Sequence, residues 1–414
     1  MTAPVAVGVL GAGALGHVDA DGSITPGGVG WRLSPWFGAD DRWRVPGDGS
    51  ASRQVLVDAA PVVRSTTRVP GGDAQAVVYG TGPPPGVGVI EIANESPVPF
   101  ALALVVQGPS PGTRHDALID GTDAIVDGSV VLRGARPWSG CVAGASPRDL
   151  LAQLTAGRAD VALPRPGTPV SGVAVALLAP VAHRAALRIA MTQLTTDPGS
   201  GDPRGLPGTE ETVRSWQMHR TRGVQVELPD ARLQDALHAA RSAALLEGRA
   251  AAALEDWGFD AESEIAWRAM SWGSRRQAAR RASTPARWAD VQALLDAASP
   301  VWTWDGGPDP FLLALRSLLV HEAAARTATR REHEVTLCAE LPPAWVGQPV
   351  DVRGAPTRHG RVSYALRWHG SRAALLWECE RPGMTLRAPG LDPAWSTTEP
   401  RGETLLPPHP AAIG

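Results

Sequence analysis

Through residues 1–196, short apolar runs recur between clusters of glycine, proline and aspartate. The runs are Val5–Leu10, Gln54–Val57, Ala76–Tyr79, Val87–Ile92, Phe100–Val106, Ser129–Leu132, Val170–Leu178 and Ala185–Thr192. Segments such as Thr81–Gly86 and Ser110–Gly112 separate them. A chain broken at this interval cannot sustain long helices. It folds as many short strands joined by tight turns, which is the pattern of a β-sandwich. Asp149–Leu154 is expected to add one brief helix. The 45 glycines and 38 prolines among 414 residues supply that punctuation, and their share stays below the roughly 25–30% of low-complexity chains.

The pattern then changes twice. Residues 197–223 open with the Pro/Gly/Asp-rich stretch Asp197–Gly208 and continue polar, which reads as a linker. Residues 224–332 turn helical. Leu233, Leu237, Ala240, Ala244 and Leu245 share one 3.6-residue face behind Pro229-Asp230. Thr284-Pro285 and Asp309-Pro310 each place proline at a helix start, ahead of the apolar faces Trp288, Val291, Leu295, Ala298 and Phe311, Leu315, Leu318, Leu319. The amphipathic stretch Ala261–Trp272 lies between them. At ordinary helix and loop lengths this segment holds four to six helices. From residue 333 to 414, β structure returns in Glu334–Leu337, Val350–Val352, Arg361–Trp368 and Ala373–Glu378, with His369-Gly370-Ser371 as a hairpin turn. The expectation is an α+β multidomain chain: an N-terminal β-sandwich (1–196), a linker (197–223), a helical domain (224–332) and a C-terminal β-domain (333–414).

Several chemistries are excluded by residues the chain lacks. All 39 basic residues are arginine, so there is no Schiff-base lysine, no phosphate-loop GKS/T and no kinase-type strand lysine. The same bias, with 15 tryptophans against 4 phenylalanines and 2 tyrosines, follows from GC-rich bacterial coding. A net charge of −3 leaves no basic face for a nucleic acid. Cys141, Cys338 and Cys379 are widely spaced, so neither a disulfide framework nor a zinc site is expected. No apolar stretch reaches about 18 residues, and no basic leader precedes the apolar N-terminus, so no membrane span is expected and the reading is cytoplasmic.

Local motifs resolve against cofactors. Gly11-Ala12-Gly13-Ala14-Leu15-Gly16 follows a strand-like run, but His17–Ile24 reads as an Asp-Gly hairpin and not as the helix a pyrophosphate site requires. Asp19-Ala20-Asp21-Gly22 has two acidic positions where a calcium loop needs more. No metal ligation and no cofactor are therefore expected. No G-x-S-x-G elbow is present to start a hydrolase triad. Arg275, Arg276, Arg280 and Arg281 read as a solvated helix face.

Tryptophan is concentrated in the helical segment: Trp257, Trp267, Trp272, Trp288, Trp302 and Trp304. Broad indole faces either pack a core or stack on sugars. Glu255, Asp256, Asp260, Glu262, Glu264, Asp305 and Asp309 supply carboxylates nearby. Glycoside hydrolysis needs two, held about 5–5.5 Å apart for retention or about 6.5–9.5 Å for inversion. The candidate glycan-binding set is Trp257, Trp267, Trp272, Trp302, Trp304, Asp305 and Asp309.

Specific segments resemble a known family. Asp19–Ile24 with Trp31 and Pro35-Trp36-Phe37 is similar to the opening of the β-supersandwich that precedes glucoamylase-type toroids. Val89–Phe100, Ala179–Arg184 and Val226–Asp230 are similar to strands and lead-in segments of the same proteins. The tail resembles them most, in Leu341–Gly347, Ala355–Gly360, Arg367–Gly370, Ala374–Glu378 and Trp395. The resemblance is to the glucoamylase and glycogen-debranching-like six-hairpin glycosidase superfamily of actinobacterial type. It implies a barrel of twelve helices, and this chain has room for about half. The glycine-rich segment before the last helices is reduced here to Trp302–Pro308, and no family catalytic acid transfers to a numbered residue. The implied function is a degenerate glycosidase relative that binds or senses an α-glucan-type glycan with little or no hydrolysis. Two alternatives stay open: an active glycosidase completed by a protein partner on the open helical face, and a non-catalytic interaction protein.

Overall fold

The computed structural model describes residues 3–40, 42–48, 52–108, 110, 112–156, 167–192, 201–278, 284–322 and 334–412. Arg280 and Arg281, the start of the expected linker through residue 200, and the expected boundary near residue 333 lie outside the described residues. The chain divides into two units, residues 1–214 and 215–414.

In the first unit, Val5–Val9 and Gly13–Val18 form an antiparallel hairpin, turned by Gly11 and Gly13 at φ 85° and 82°. The G-x-G-x-x-G stretch is thus strand, turn and strand. Asp19–Ser23 closes the next turn, with the Gly22 N–H donating to Asp19 O at 2.9 Å. Eight strands form one antiparallel sheet in the order Val5–Val9, Gly13–Val18, Ile24–Pro26, Arg32–Ala39, Phe100–Gln107, Ala174–Val181, Gly140–Gly144, with Arg42–Arg44 paired beside Arg32–Ala39. Nine more form a second sheet: Val170–Gly172, His115–Asp120, Asp123–Val126, Ser129–Gly134, Ala186–Met191, Val87–Asn94, Gly72–Thr81, Val62–Val69 and Ser52–Leu56.

The sheets meet closely where Val5–Val9 lies on Gly72–Thr81. A Cβ added at Gly80 would stand 2.5 Å from the Gly8 Cα, and one added at Gly8 would stand 2.1 Å from the Gly13 carbonyl oxygen, so both positions require glycine. Leu102–Val106 is buried throughout, because the other face of its sheet is also covered. Helix α1 (Pro147–Thr155) packs Leu150 against Trp36, Ala103, Val105, Ala174 and Ala176 there. Ser146 caps α1, its Oγ accepting from the Asp149 N–H at 3.1 Å.

The run Val170–Leu178, expected as one strand, serves both sheets. Val170–Gly172 joins the second and Ala174–Val181 the first, and the chain crosses between them at Val173. Its crossing is tight: a Cβ on Gly172 would meet the Gly144 carbonyl oxygen at 2.6 Å. The polar part of the expected linker is helix α2 (Thr209–Arg220). Its sequence carries acidic Glu210 and Glu211 in the first turn and His219 and Arg220 in the last, which matches the helix dipole.

The second unit contains six further helices among the described residues. Helix α3 (Ala231–Glu247) starts at Asp230, whose Oδ1 accepts from the Leu233 N–H at 3.0 Å. It ends at Gly248, at φ 62° in the left-handed region. Short helices α4 (Ala251–Asp256), α5 (Asp260–Ala269) and α6 (Trp272–Ala278) follow. The expected stretch Ala261–Trp272 breaks at Met270, which is extended. Helix α7 (Trp288–Asp296) begins three residues beyond Pro285, with Asp290 Oδ2 accepting from the Arg287 N–H at 3.0 Å. Helix α8 (Asp309–Leu319) buries Phe311, Leu312, Leu315, Leu318 and Leu319 and runs directly into strand Val320–Glu322.

That strand pairs with Glu334–Leu337 in a four-stranded sheet completed by Thr385–Ala388 and Asp392–Thr397. A five-stranded antiparallel sheet takes Gln225–Glu227, Val350–Thr357, Gly360–His369, Arg372–Cys379 and Arg401–Pro408. Strands flanking the helices therefore enter both sheets of this unit. Val362, Tyr364 and Leu366 alternate inward along one strand, as its period-two pattern requires.

Candidate functional site

A cleft of about 690 Å³ opens in the second unit. Its walls come from the end of α4 (Glu255, Asp256), from α5 (Trp267), from the approach to α7 (Thr284 to Ala286, with Asp290), from α8 (Arg316, Ser317), from the strand after it (Val320 to Glu322) and from Pro356 to Arg358.

Arg316 ties three of these walls together. Its Nε donates to Asp256 O at 3.0 Å, its Nη2 to Pro356 O at 2.6 Å and its Nη1 to Val320 O. The guanidinium is buried, and its planar fork donates to carbonyls of three separate segments at once. Glu322 accepts the Arg358 backbone N–H with both oxygens, at 3.2 and 3.1 Å. This bond fixes the turn that follows Val350–Thr357 against the strand that follows α8. On the α4–α5 wall the Trp267 indole N–H donates to Glu255 Oε2 at 3.2 Å. Ser317 Oγ stands 3.0 Å from His321 Nδ1.

The arrangement offers a half-buried indole, four carboxylates, two guanidinium groups and a serine–histidine pair in one cavity, beside apolar Leu313, Ala314 and Val320. It can hold a ligand with many hydroxyls, since carboxylates accept and arginine donates.

Of the seven residues expected to bind a glycan, Trp267 lines this cleft. Trp257 is a core side chain, 1% exposed, with its indole N–H donated to Leu312 O at 3.0 Å. The Arg241 guanidinium covers its ring at 5.4 Å. Trp304 is also buried, stacked on Phe311 at 5.1 Å and bonded to Leu294 O. No face of either indole remains for a sugar, so the expectation of a platform at these two positions is corrected: their apolar area is spent on α8. Trp272 is 72% exposed and carries Arg276 over its ring at 4.7 Å. Trp302 sits half-buried in the turn before α8, at φ 56°. Asp305 is exposed in the same loop. Asp309 opens α8, and burial pushes its carboxyl above the usual range. Burial and then the Asp309 charge push Glu247 up as well. These four positions do not line the cleft.

Asp290, Arg316, Ser317, His321, Glu322 and Arg358 were not anticipated as site residues. Ser317 and His321 lie four residues apart across the junction where α8 ends and the strand Val320–Glu322 begins, so no helical periodicity pointed to the pair. The meeting of Glu322 with Arg358 was not readable either, because 36 residues separate them.

No family model matches the chain, and no curated protein does. Among solved structures the chain is similar to a bacterial glucoamylase complexed with acarbose, at a TM-score of 0.42 and 7% sequence identity. The likeness covers 64% of this chain and 50% of that one, so the chain spans about half the length of that enzyme.

Proposed function

We propose that this chain binds a glycan in the cleft of its second unit and hydrolyses it little or not at all. The observation that carries this reading is Trp267: an indole whose N–H is donated to Glu255, in a cavity it shares with Asp256, Asp290, Glu322 and Arg358. An aromatic face covers the apolar face of a sugar ring, while carboxylates and a guanidinium satisfy its hydroxyls. The segments resembling glucoamylase-type proteins support the same ligand class. Weak hydrolysis is supported by the six helices described in this unit, against the twelve that the resemblance implies. A barrel left open admits water to the site and loses the desolvation on which such chemistry relies.

The test is calorimetric titration of maltooligosaccharides and trehalose into the full chain, beside an assay for released reducing sugar. Saturable binding that disappears in Trp267→Ala is expected. Robust turnover by the chain alone would overturn the non-hydrolytic part, whereas turnover that appears only on coexpression with a partner protein would favour a glycosidase completed by that partner. A second reading, an interaction protein, draws on Ile265 and Trp272, which are 66% and 72% exposed on α5 and α6. Absence of any glycan binding would favour it.

A further inference from the structure

The cleft holds a chemistry that binding alone does not use. Ser317 Oγ and His321 Nδ1 are 3.0 Å apart, and both side chains line the cavity. The Ala286 backbone N–H donates to the same Oγ at 3.2 Å. Helix α8 places Ser317 in its last turn, and the strand Val320–Glu322 continues from it, so the pair is set by backbone on both sides. His321 is buried, at 7% exposed, which restricts the imidazole to this orientation.

We propose that Ser317 and His321 form a nucleophile–base pair that hydrolyses an O-acyl ester in this cleft, preferentially one carried on a sugar hydroxyl. The sugar preference rests on the glycan reading above; the ester chemistry does not. A serine hydroxyl is a weak nucleophile until a base within hydrogen-bond reach accepts its proton. Here the Ala286 N–H occupies one lone pair of Oγ, which directs the hydroxyl proton toward Nδ1. The same N–H offsets the negative charge that grows on Oγ as that proton leaves.

In the first half-reaction Oγ bonds to the acyl carbon while its proton passes to Nδ1. The tetrahedral species then collapses, the ester C–O bond breaks, and the alcohol leaves with the proton from Nδ1. In the second, water attacks the acyl-Ser317 carbon and gives a proton to Nδ1. The bond to Oγ breaks, and Oγ recovers that proton. The balance is ester plus water to acid plus alcohol, with no oxidant and no co-reactant other than water. Arg358 lines the same cavity, and positive charge within a site stabilises an oxyanion as it develops.

The experiment treats the full chain with a fluorophosphonate probe and maps the adduct by peptide mass spectrometry. In parallel, hydrolysis of p-nitrophenyl acetate and of an O-acetylated methyl glucoside is followed in wild type, Ser317→Ala and His321→Gln. The expected result is one adduct at Ser317 and a loss of at least about 100-fold in kcat/KM in either variant. No adduct at Ser317, or turnover unchanged in Ser317→Ala, overturns the proposal. The adduct map needs no variant, so a His321→Gln chain that fails to fold still leaves a decisive measurement. Hydrolysis of the simple ester without preference for the sugar ester upholds the pair and counts against the glycan reading. Glycan binding with neither adduct nor ester turnover does the reverse.

Discussion

The Tyr79 hydroxyl donates to Glu91 Oε1 at 2.7 Å, from one strand of the second sheet to its neighbour. Arg188, directly across from Glu91 on the other side, pairs with Oε1 at 2.7 Å, and the Thr209 hydroxyl donates to Oε2 at 2.7 Å. Arg188 also donates to Leu206 O at 2.9 Å. One carboxylate thus fastens the segment leading into α2 onto the sheet. Burial, then the bond to Glu91, holds the Tyr79 phenol well above its ordinary range.

Glu91→Ala leaves three donors without their acceptor. It should destabilise the protein by about 1–3 kcal/mol, and Tyr79→Phe by about 1 kcal/mol. Urea denaturation measures both. Equal midpoints for Glu91→Ala and wild type would show that the segment is held by other contacts.

His238 gives a pH dependence. Burial, then the charges of Arg220 and Arg241, push its imidazole from 6.5 down to about 4. Gln234 Nε2 stands 2.8 Å from His238 Nε2 and donates to it, so the folded state holds the neutral ring. Protonation therefore favours unfolding. The stability contributed by the neutral ring is complete above pH 6.5 and is lost as pH falls toward 4. His238→Gln should flatten the stability curve in that window. Denaturant midpoints taken from pH 7.5 to pH 4 check this, and parallel curves for the two proteins would contradict it.

Trp257 and Trp267 should separate core from cleft. Trp257→Ala removes a buried indole and one ring against Arg241, and should cost about 3–5 kcal/mol. Trp267→Ala, at a half-buried position, should cost about 1 kcal/mol while weakening glycan binding at least about tenfold. Thermal melting and titration calorimetry on both variants distinguish the roles.

Arg316→Met removes a guanidinium whose donors serve three carbonyls. The variant should lose on the order of 3 kcal/mol or more, and Arg316→Lys should recover only part, because an ammonium cannot reproduce the fork. Hydrogen exchange should rise together at Asp256, Val320 and Thr357–Arg358, in the walls it joins. A rise confined to α8 would mean that the walls hold without it.

Much of the architecture was written locally. Period-two runs and Gly/Pro punctuation specified the strands, and Pro229-Asp230 marked the start of α3, because turns, caps and alternation depend on residues close in sequence. The Gly11–Gly16 stretch announced a hairpin through the turn residues behind it. Other features depended on partners far along the chain. Nothing within Val170–Leu178 shows that it serves two sheets; that is decided by the close approach of Gly172 to Gly144. Nor does indole chemistry tell Trp257 from Trp267. The first is taken into the core by α8 and Arg241, and the second is left at the cleft by Glu255. The sequence by itself determined that the helical half carries tryptophans and carboxylates and no lysine chemistry. Only the tertiary structure decided which of them share a cavity, because burial and distance are set by chain segments that meet after folding.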